Sequence, residues 1–248
     1  MAEEQKFPTE IIDLPSGGKC YTEDSPLRNG KIEIKYMTAK EEDILTSQNL
    51  IKKGVVIEKL LDSLIVTEGI KQDDLVLGDK NAVMVAARIL AYGPSYEVEI
   101  QDPDTGNKLT HTFDLTECPF THLPEGTESN EFEFELPVGK VVVKFKLLTG
   151  KEEKIIEQEI ESRKKAGFPI APELTTRLKH SIVSIDDETD KNKIGSLVNN
   201  MLARDSLALR NKISEVSPDI ELKQEIEIGG EMVEVAIPLT INFFWPSS

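Results

Sequence analysis

The chain has 248 residues, of which 39% are hydrophobic and 30% are charged. It is too apolar for a disordered tail and long enough to bury a core without disulfides or metal, so we expect a folded, soluble protein of one large or two modest domains. Its 29 basic and 45 acidic residues give a net charge of −16. Such a charge repels phosphate backbones and anionic lipids, which argues against nucleic acid or a membrane surface as a partner.

The cellular compartment is indicated by cysteine content and by the lack of export signals. Cys20 and Cys118 are too few and too far apart for a disulfide framework, which fits a reducing compartment. Residues 1–6 do not resemble a signal peptide because an apolar segment is missing. The longest largely apolar stretch, 82–92, contains Arg88 and is too short to cross a bilayer. We therefore expect neither secretion nor membrane insertion.

The hydrophobic pattern predicts five regions in chain order. They are an extended arm ending in a strand, a helical block, a β-hairpin region, a second helical block, and a C-terminal hairpin with an aromatic tail. Their ranges are 1–36, 37–93, 94–150, 151–217 and 218–248. The predicted fold class is α+β, with helical segments packed against antiparallel β-hairpins, an extended N-terminal arm and a C-terminal β-strand tail.

The arm and the first two helices are predicted from local signals. Frequent proline and glycine exclude a helix in the arm, and strict alternation at 31–36 predicts a half-buried strand. Thr38 and Glu41 have the spacing of a capping box that opens a helix, which should end near Gly54. A second helix, about 55–66, has an apolar face at helical spacing. Its core residues are predicted to be Leu60, Leu61 and Leu64.

The third helix and the hairpin region follow. Asp79 is predicted to cap this helix at its N-terminus, and Gly93 to end it. The hydrophobic period then changes from 3.6 to 2, which predicts hairpins over 96–113 and 132–147. Residues 102–106 are predicted to be the turn of the first hairpin.

The second helical block and the last hairpin complete the chain. Helices are predicted at 151–166, at about 172–183 and at about 192–214. Two alternating runs then flank a Gly-Gly pair at 229–230, which is a hairpin signal. Together with the preceding regions, they complete the α+β pattern.

Three aromatic residues, Phe243, Phe244 and Trp245, cluster at the very end, where chains usually fray and become polar. One interpretation is that a terminal strand closes the protein's own sheet and the rings fill its core. The other is that these residues form an interface that docks on a partner subunit. Both remain open on the sequence alone.

A metal site is the main enzymatic alternative. His111, Cys118 and His122 occur within twelve residues, but no fourth cysteine or histidine lies near them. Structural zinc requires four ligands with paired spacing, so ordinary strand and loop roles are favoured. A metal-dependent hydrolase that uses this region with nearby carboxylates is the alternative function. No catalytic residue, cofactor or metal ligand is assigned.

Several blocks follow one another in a distinctive order along the chain. Residues 14–21 begin with a Leu-Pro-Ser-x-Gly turn, and a strand pattern follows at 30–34. Residues 37–45 read Met-Thr-x-x-Glu-Glu-x-Ile-Leu, 92–96 read Tyr-Gly-x-x-Tyr, and 243–246 read Phe-Phe-Trp-Pro. In these blocks and their order the chain resembles the T-even-type baseplate hub proteins of contractile-tailed phages.

The resemblance implies a non-enzymatic viral protein that acts in assembly of the baseplate hub through contacts with other tail and hub proteins. It implies a location in the host cytoplasm during assembly, with the virion tail baseplate as a second location. It transfers no catalytic residue, cofactor or oligomeric state. The non-enzymatic alternative is a cytosolic assembly chaperone or scaffold unrelated to phage.

Overall fold

The structure is a computed structural model that describes residues 7–101, 106, 108–167, 172–228 and 230–245. The helices are α1 (Ala39–Thr46), α2 (Gln48–Lys53), α3 (Val56–Leu64), α4 (Leu77–Tyr92), α5 (Gly150–Lys165), α6 (Glu173–Ser181), α7 (Lys191–Asn200) and α8 (Ala203–Val216). The strands are β1 (Thr9–Asp13), β2 (Lys31–Lys35), β3 (Ser95–Gln101), β4 (Lys108–Asp114), β5 (Phe120–Thr121), β6 (Phe132–Glu135), β7 (Val142–Phe145), β8 (Ile182–Ile185), β9 (Asp219–Ile220), β10 (Lys223–Ile228) and β11 (Glu231–Ala236).

The strand pairs of the described residues are all antiparallel, which confirms the predicted α+β class. β1 pairs with β2, β3 with β4, β5 with β9, and β10 with β11, while β7 lies between β6 and β8. The predicted turn at 102–106 lies outside the described residues apart from Gly106, and Gly229 also lies outside them. The flanking strands nevertheless pair in register, with Val98 opposite His111 in the first hairpin.

Buried apolar side chains form two clusters. The first joins the arm, the first four helices, the β3–β4 hairpin and the C-terminal hairpin, and includes Ile32, Leu60, Phe113 and Phe243. The second lies between β7 and helices α6, α7 and α8, and includes Phe145. The predicted core residues of α3 are confirmed, because Leu60, Leu61 and Leu64 are fully buried in the first cluster.

Two predicted helices are each divided in the structure. The helix expected to run to Gly54 is interrupted at Ser47, whose extended backbone ends α1 and precedes α2, although Gly54 does end the second part. The helix expected at about 192–214 is interrupted at Met201 and Leu202, which are also extended. At that interruption Asp205, in the first turn of α8, accepts hydrogen bonds from the N–H groups of the β6–β7 turn. Helical periodicity could not predict this contact, because it joins residues that are more than 60 positions apart.

The C-terminal tail differs from the predicted β-strand. Residues Ile241–Phe244 form a 3-10 turn, in which Phe243 N–H donates to the Thr240 carbonyl at 3.0 Å. In a strand Phe243 and Phe244 would point to opposite faces, and only one of them would meet the core. The tighter turn allows both rings to enter the first cluster, where both are fully buried.

The capping box at the start of α1 is confirmed, and its glutamate also belongs to the core. Glu41 is fully buried, and one carboxylate oxygen accepts hydrogen bonds from the N–H and hydroxyl of Thr38 at 2.9 and 2.6 Å. The other accepts from Lys35 at 2.8 Å and from Ser63 at 2.7 Å. Burial alone would raise the pKa of Glu41, but these hydrogen bonds outweigh it and lower the pKa to about 2.

This lowered pKa predicts an acid-sensitive contribution to stability. Because the folded pKa is below the ordinary value of 4.5, the contribution of Glu41 is complete above about pH 5 and is lost as the pH falls towards 2. Glu41→Gln is therefore expected to be less stable than wild type by roughly 2–3 kcal/mol at neutral pH, with the difference shrinking below pH 4.5. Urea unfolding at several pH values measures it, with the exposed Glu68→Gln as control. A difference in the free energy of unfolding that stays constant down to pH 3 would contradict the lowered pKa of Glu41.

Candidate interaction surfaces

The three C-terminal aromatic residues have different environments. Phe243 and Phe244 are fully buried and meet edge to face, with ring centroids 5.5 Å apart. Phe243 also packs on Tyr96, 5.0 Å away between centroids. The side chain of Trp245 is 37% exposed. Of the three predicted interface residues, Trp245 is the one whose ring is accessible.

Arg88 of α4 holds this tail in place through hydrogen bonds. Its guanidinium is almost completely buried and donates hydrogen bonds to the carbonyl oxygens of Phe243, Gly93 and Ser95 at 3.0, 3.1 and 3.3 Å. It lies 5.1 Å from the ring centroid of Tyr92. Burial lowers the pKa of Arg88, and no carboxylate pairs with it in the described part of the chain. In the sequence Arg88 interrupts an apolar stretch, and no local pattern predicted its contact with the tail.

The three residues considered as zinc ligands, His111, Cys118 and His122, each contact a different residue. The His111 ring packs against Phe113 with centroids 4.6 Å apart, and the Cys118 sulfur accepts a hydrogen bond from Gln224 at 3.6 Å. His122 Nδ1 lies 3.1 Å from the Pro15 carbonyl oxygen. Within the residues that the structure describes, no group of three or more His, Cys, Asp or Glu side chains is placed to hold a metal ion.

A buried carboxylate ties the arm to the start of α4. Asp79 accepts hydrogen bonds from the Ser16 N–H at 2.9 Å, from the Ser16 hydroxyl at 2.6 Å and from the Tyr21 hydroxyl at 2.5 Å. The Tyr21 oxygen in turn accepts from the Val76 N–H at 3.3 Å. Burial is the main cause that raises the pKa of Asp79. The prediction that Asp79 caps α4 is wrong, because Val76 occupies that position and Asp79 lies within the first turn.

An apolar cleft of about 260 Å³ lies where the start of α4 meets α6 and α8, and we call it the α4–α8 cleft. Leu147, Leu178 and Ile213 line it, together with the outward-facing Leu77. Arg210 of α8 also lines it. No sequence pattern indicated this cleft, because its walls come from four separate parts of the chain.

A second cavity of about 270 Å³, the α4–α5 pocket, shares residues Leu77, Leu148, Glu153 and Arg177 with the cleft. It is more polar, and its further lining includes Gln72, Lys80 and Lys154. Lys154 is paired with Glu58 and Asp73 at 3.0 and 3.1 Å.

These features define an α+β protein with an apolar cleft and a partly exposed tail tryptophan. The chain matches the family model described as T4 bacteriophage base plate protein over residues 7–245, and it belongs to that family. It is therefore a structural protein of a phage tail baseplate, and contacts with other baseplate or tail proteins follow from that membership. No curated protein and no solved structure shows significant similarity to the chain. Among the described residues, every helix is too short or too polar to span a bilayer.

Proposed function

We propose that this baseplate protein acts in formation of the baseplate hub, without catalysis, by binding other hub or tail proteins. The observation that carries the proposal is the family match over residues 7–245. The resemblance of the opening and closing blocks to hub proteins supports the narrower role. The protein would act in the host cytoplasm during assembly and then occupy the tail baseplate of the virion.

Several residues of the blocks that resemble hub proteins form contacts within the folded chain. Ser16 and Tyr21 belong to the opening block, and both hold the buried Asp79. Phe243 belongs to the closing block and is held by Arg88. The likeness therefore falls on contacts that stabilise the fold.

The proposed role is tested by co-expressing the chain with the tail proteins of its phage and purifying it under mild conditions. Stable co-purification with a hub protein is expected. Recovery of the chain alone from cells that assemble complete baseplates would contradict the role. Metal analysis separates the hydrolase alternative, since one zinc per chain, with melting lowered by a chelator, would support it.

Within this role we propose the C-terminal aromatic residues as a partner interface, with the accessible Trp245 as its contact and Phe243 and Phe244 as its internal support. Burial of an aromatic side chain contributes about 1.5–3 kcal/mol, so Trp245→Ala should weaken partner binding by roughly 10- to 100-fold. The free energy of unfolding should change by less than about 1 kcal/mol, because the ring is partly exposed.

Phe244→Ala is the matched variant for this test. Its ring is fully buried, so truncation should reduce the free energy of unfolding by about 3–5 kcal/mol. Melting curves and co-purification with hub proteins measure both variants. If Trp245→Ala binds the partner as wild type does, the interface lies elsewhere.

A further inference from the structure

We propose that the α4–α8 cleft and the adjoining α4–α5 pocket together bind an extended segment of a partner protein, with an apolar side chain in the cleft and an acidic side chain beside it. The identification of that partner as a baseplate protein rests on the proposed function. The peptide-binding site itself is inferred from the apolar walls, the charges and one buried polar side chain.

The apolar walls determine the first part of the ligand. Leu77 is 66% exposed at the mouth of the cleft, and Leu174 is exposed beside it, while Leu147 and Leu178 form a buried base. An apolar cavity of about 150 Å³ is enough to hold benzene, so the cleft can receive a leucine or phenylalanine side chain. Such an anchor would also cover Leu77 and Leu174.

The charges determine the second part. Arg210 in the cleft and Lys80 in the α4–α5 pocket have no ion pair or hydrogen bond from their side chains within the described residues. Arg177, in contrast, is paired with Glu153 and Glu173. These two cations lie beside an apolar cleft on a chain of net charge −16. They favour a carboxylate on the ligand.

Lys80 is half-buried, and three carboxylates act on its charge without forming an ion pair with it. Burial lowers the pKa of Lys80, although Glu58, Asp73 and Asp62 raise it through their charges. Glu157, which also lines the pocket, is exposed and forms no ion pair in the described part of the chain. A ligand carboxylate is therefore expected to contact Arg210 in the cleft, whose lining does not include Glu157.

The buried side chain of Gln72 points to a peptide backbone as the third part. Gln72 is 1% exposed and lines the α4–α5 pocket, yet its amide nitrogen and its carbonyl oxygen both have no hydrogen-bond partner. A buried polar group without a hydrogen-bond partner destabilises the folded protein. Both atoms are themselves buried, so the Gln72 side chain has to turn into the pocket to reach a ligand. An extended peptide unit then presents one N–H and one C=O, which are the two groups that this carboxamide needs.

The experiment uses the full chain and a random decapeptide library displayed on messenger RNA. Selected peptides are expected to share an apolar residue within a few positions of an aspartate or glutamate, in either order. Leu77→Ser and Arg210→Glu should each weaken binding of a selected peptide at least tenfold. Gln72→Leu, of similar volume, should weaken it by a smaller factor.

Two control variants match the tested positions. Arg204→Glu changes an exposed arginine of the same helix that does not line the cleft, and Leu207→Ser changes an exposed leucine of that helix. Both should bind the selected peptide as wild type does. The proposal is overturned if the library yields no binder, if binders lack acidic residues, or if controls and cleft variants lose affinity equally.

Co-purification with hub proteins is measured separately, so the two proposals can fail independently. A hub complex that forms while the library yields no binder would overturn the peptide site alone. Peptides that bind at the cleft, without any hub protein co-purifying, would overturn the hub role and leave the site supported.

Discussion

Gly78→Ala is expected to reduce the free energy of unfolding by about 3 kcal/mol, and more if the backbone cannot adjust. An added Cβ at this position of α4 would overlap the Pro218 carbonyl oxygen and would lie 2.6 Å from the Pro218 carbonyl carbon and 2.7 Å from Asp219 Cα. All three are backbone atoms, which cannot rotate aside as the end of a side chain can. Relief requires that α4 and β9 separate.

The control is Gly195→Ala in α7, where an added Cβ meets no atom within 4 Å. Alanine is a better helix former than glycine, so this variant should be more stable than wild type by up to about 1 kcal/mol. Urea unfolding of both variants measures the two opposite shifts. Equal shifts in the same direction would show that close packing at Gly78 is not the cause. Because Gly78 and Pro218 also line the α4–α8 cleft, Gly78→Ala should weaken binding of the selected peptides as well.

Asp79→Ala is expected to cost about 3–5 kcal/mol, since it removes the acceptor of three buried hydrogen bonds. The Ser16 N–H and hydroxyl and the Tyr21 hydroxyl would then lack their acceptor in a buried site. Asp79→Asn should cost less, because the hydroxyl groups can rotate and accept from the new amide. Chemical denaturation at about pH 7 measures the losses.

Asp190→Ala is the matched control for this prediction. Asp190 is exposed, and its side chain accepts one hydrogen bond from the Asn192 N–H at the start of α7, so its loss should cost about 1 kcal/mol. A loss below 1 kcal/mol for Asp79→Ala would contradict the importance of the buried network.

The pH dependence of Asp79 is opposite in sign to that of Glu41. Burial raises the folded pKa of Asp79 above its ordinary value, although the hydrogen bonds from Ser16 and Tyr21 act against this. Its contribution to stability is therefore greatest below the ordinary value and declines as the pH rises through the folded value. The stability advantage of wild type over Asp79→Asn should increase on acidification, whereas its advantage over Glu41→Gln should decrease.

The sequence by itself determined the elements that depend on neighbouring residues. Alternation predicted the β3–β4, β6–β7 and β10–β11 hairpins, because a strand pair closed by a short connection depends on period and turn residues. Helical periodicity predicted the buried face of α3, and the spacing of Thr38 and Glu41 predicted the start of α1. In each case the signal lies in residues that are close together in the chain.

Only the tertiary structure decided features that join distant parts of the chain. Asp79 had the position of a helix cap, but Ser16, 63 residues away, made it the acceptor of a buried network. The tail had the pattern of a strand, but Arg88, 155 residues from Phe243, and the first cluster held it in a tight turn. The α4–α8 cleft likewise forms between segments far apart in sequence. Local preferences for a helix cap or a strand contribute little free energy. The burial of two aromatic rings, or of a hydrogen-bonded carboxylate, outweighs them.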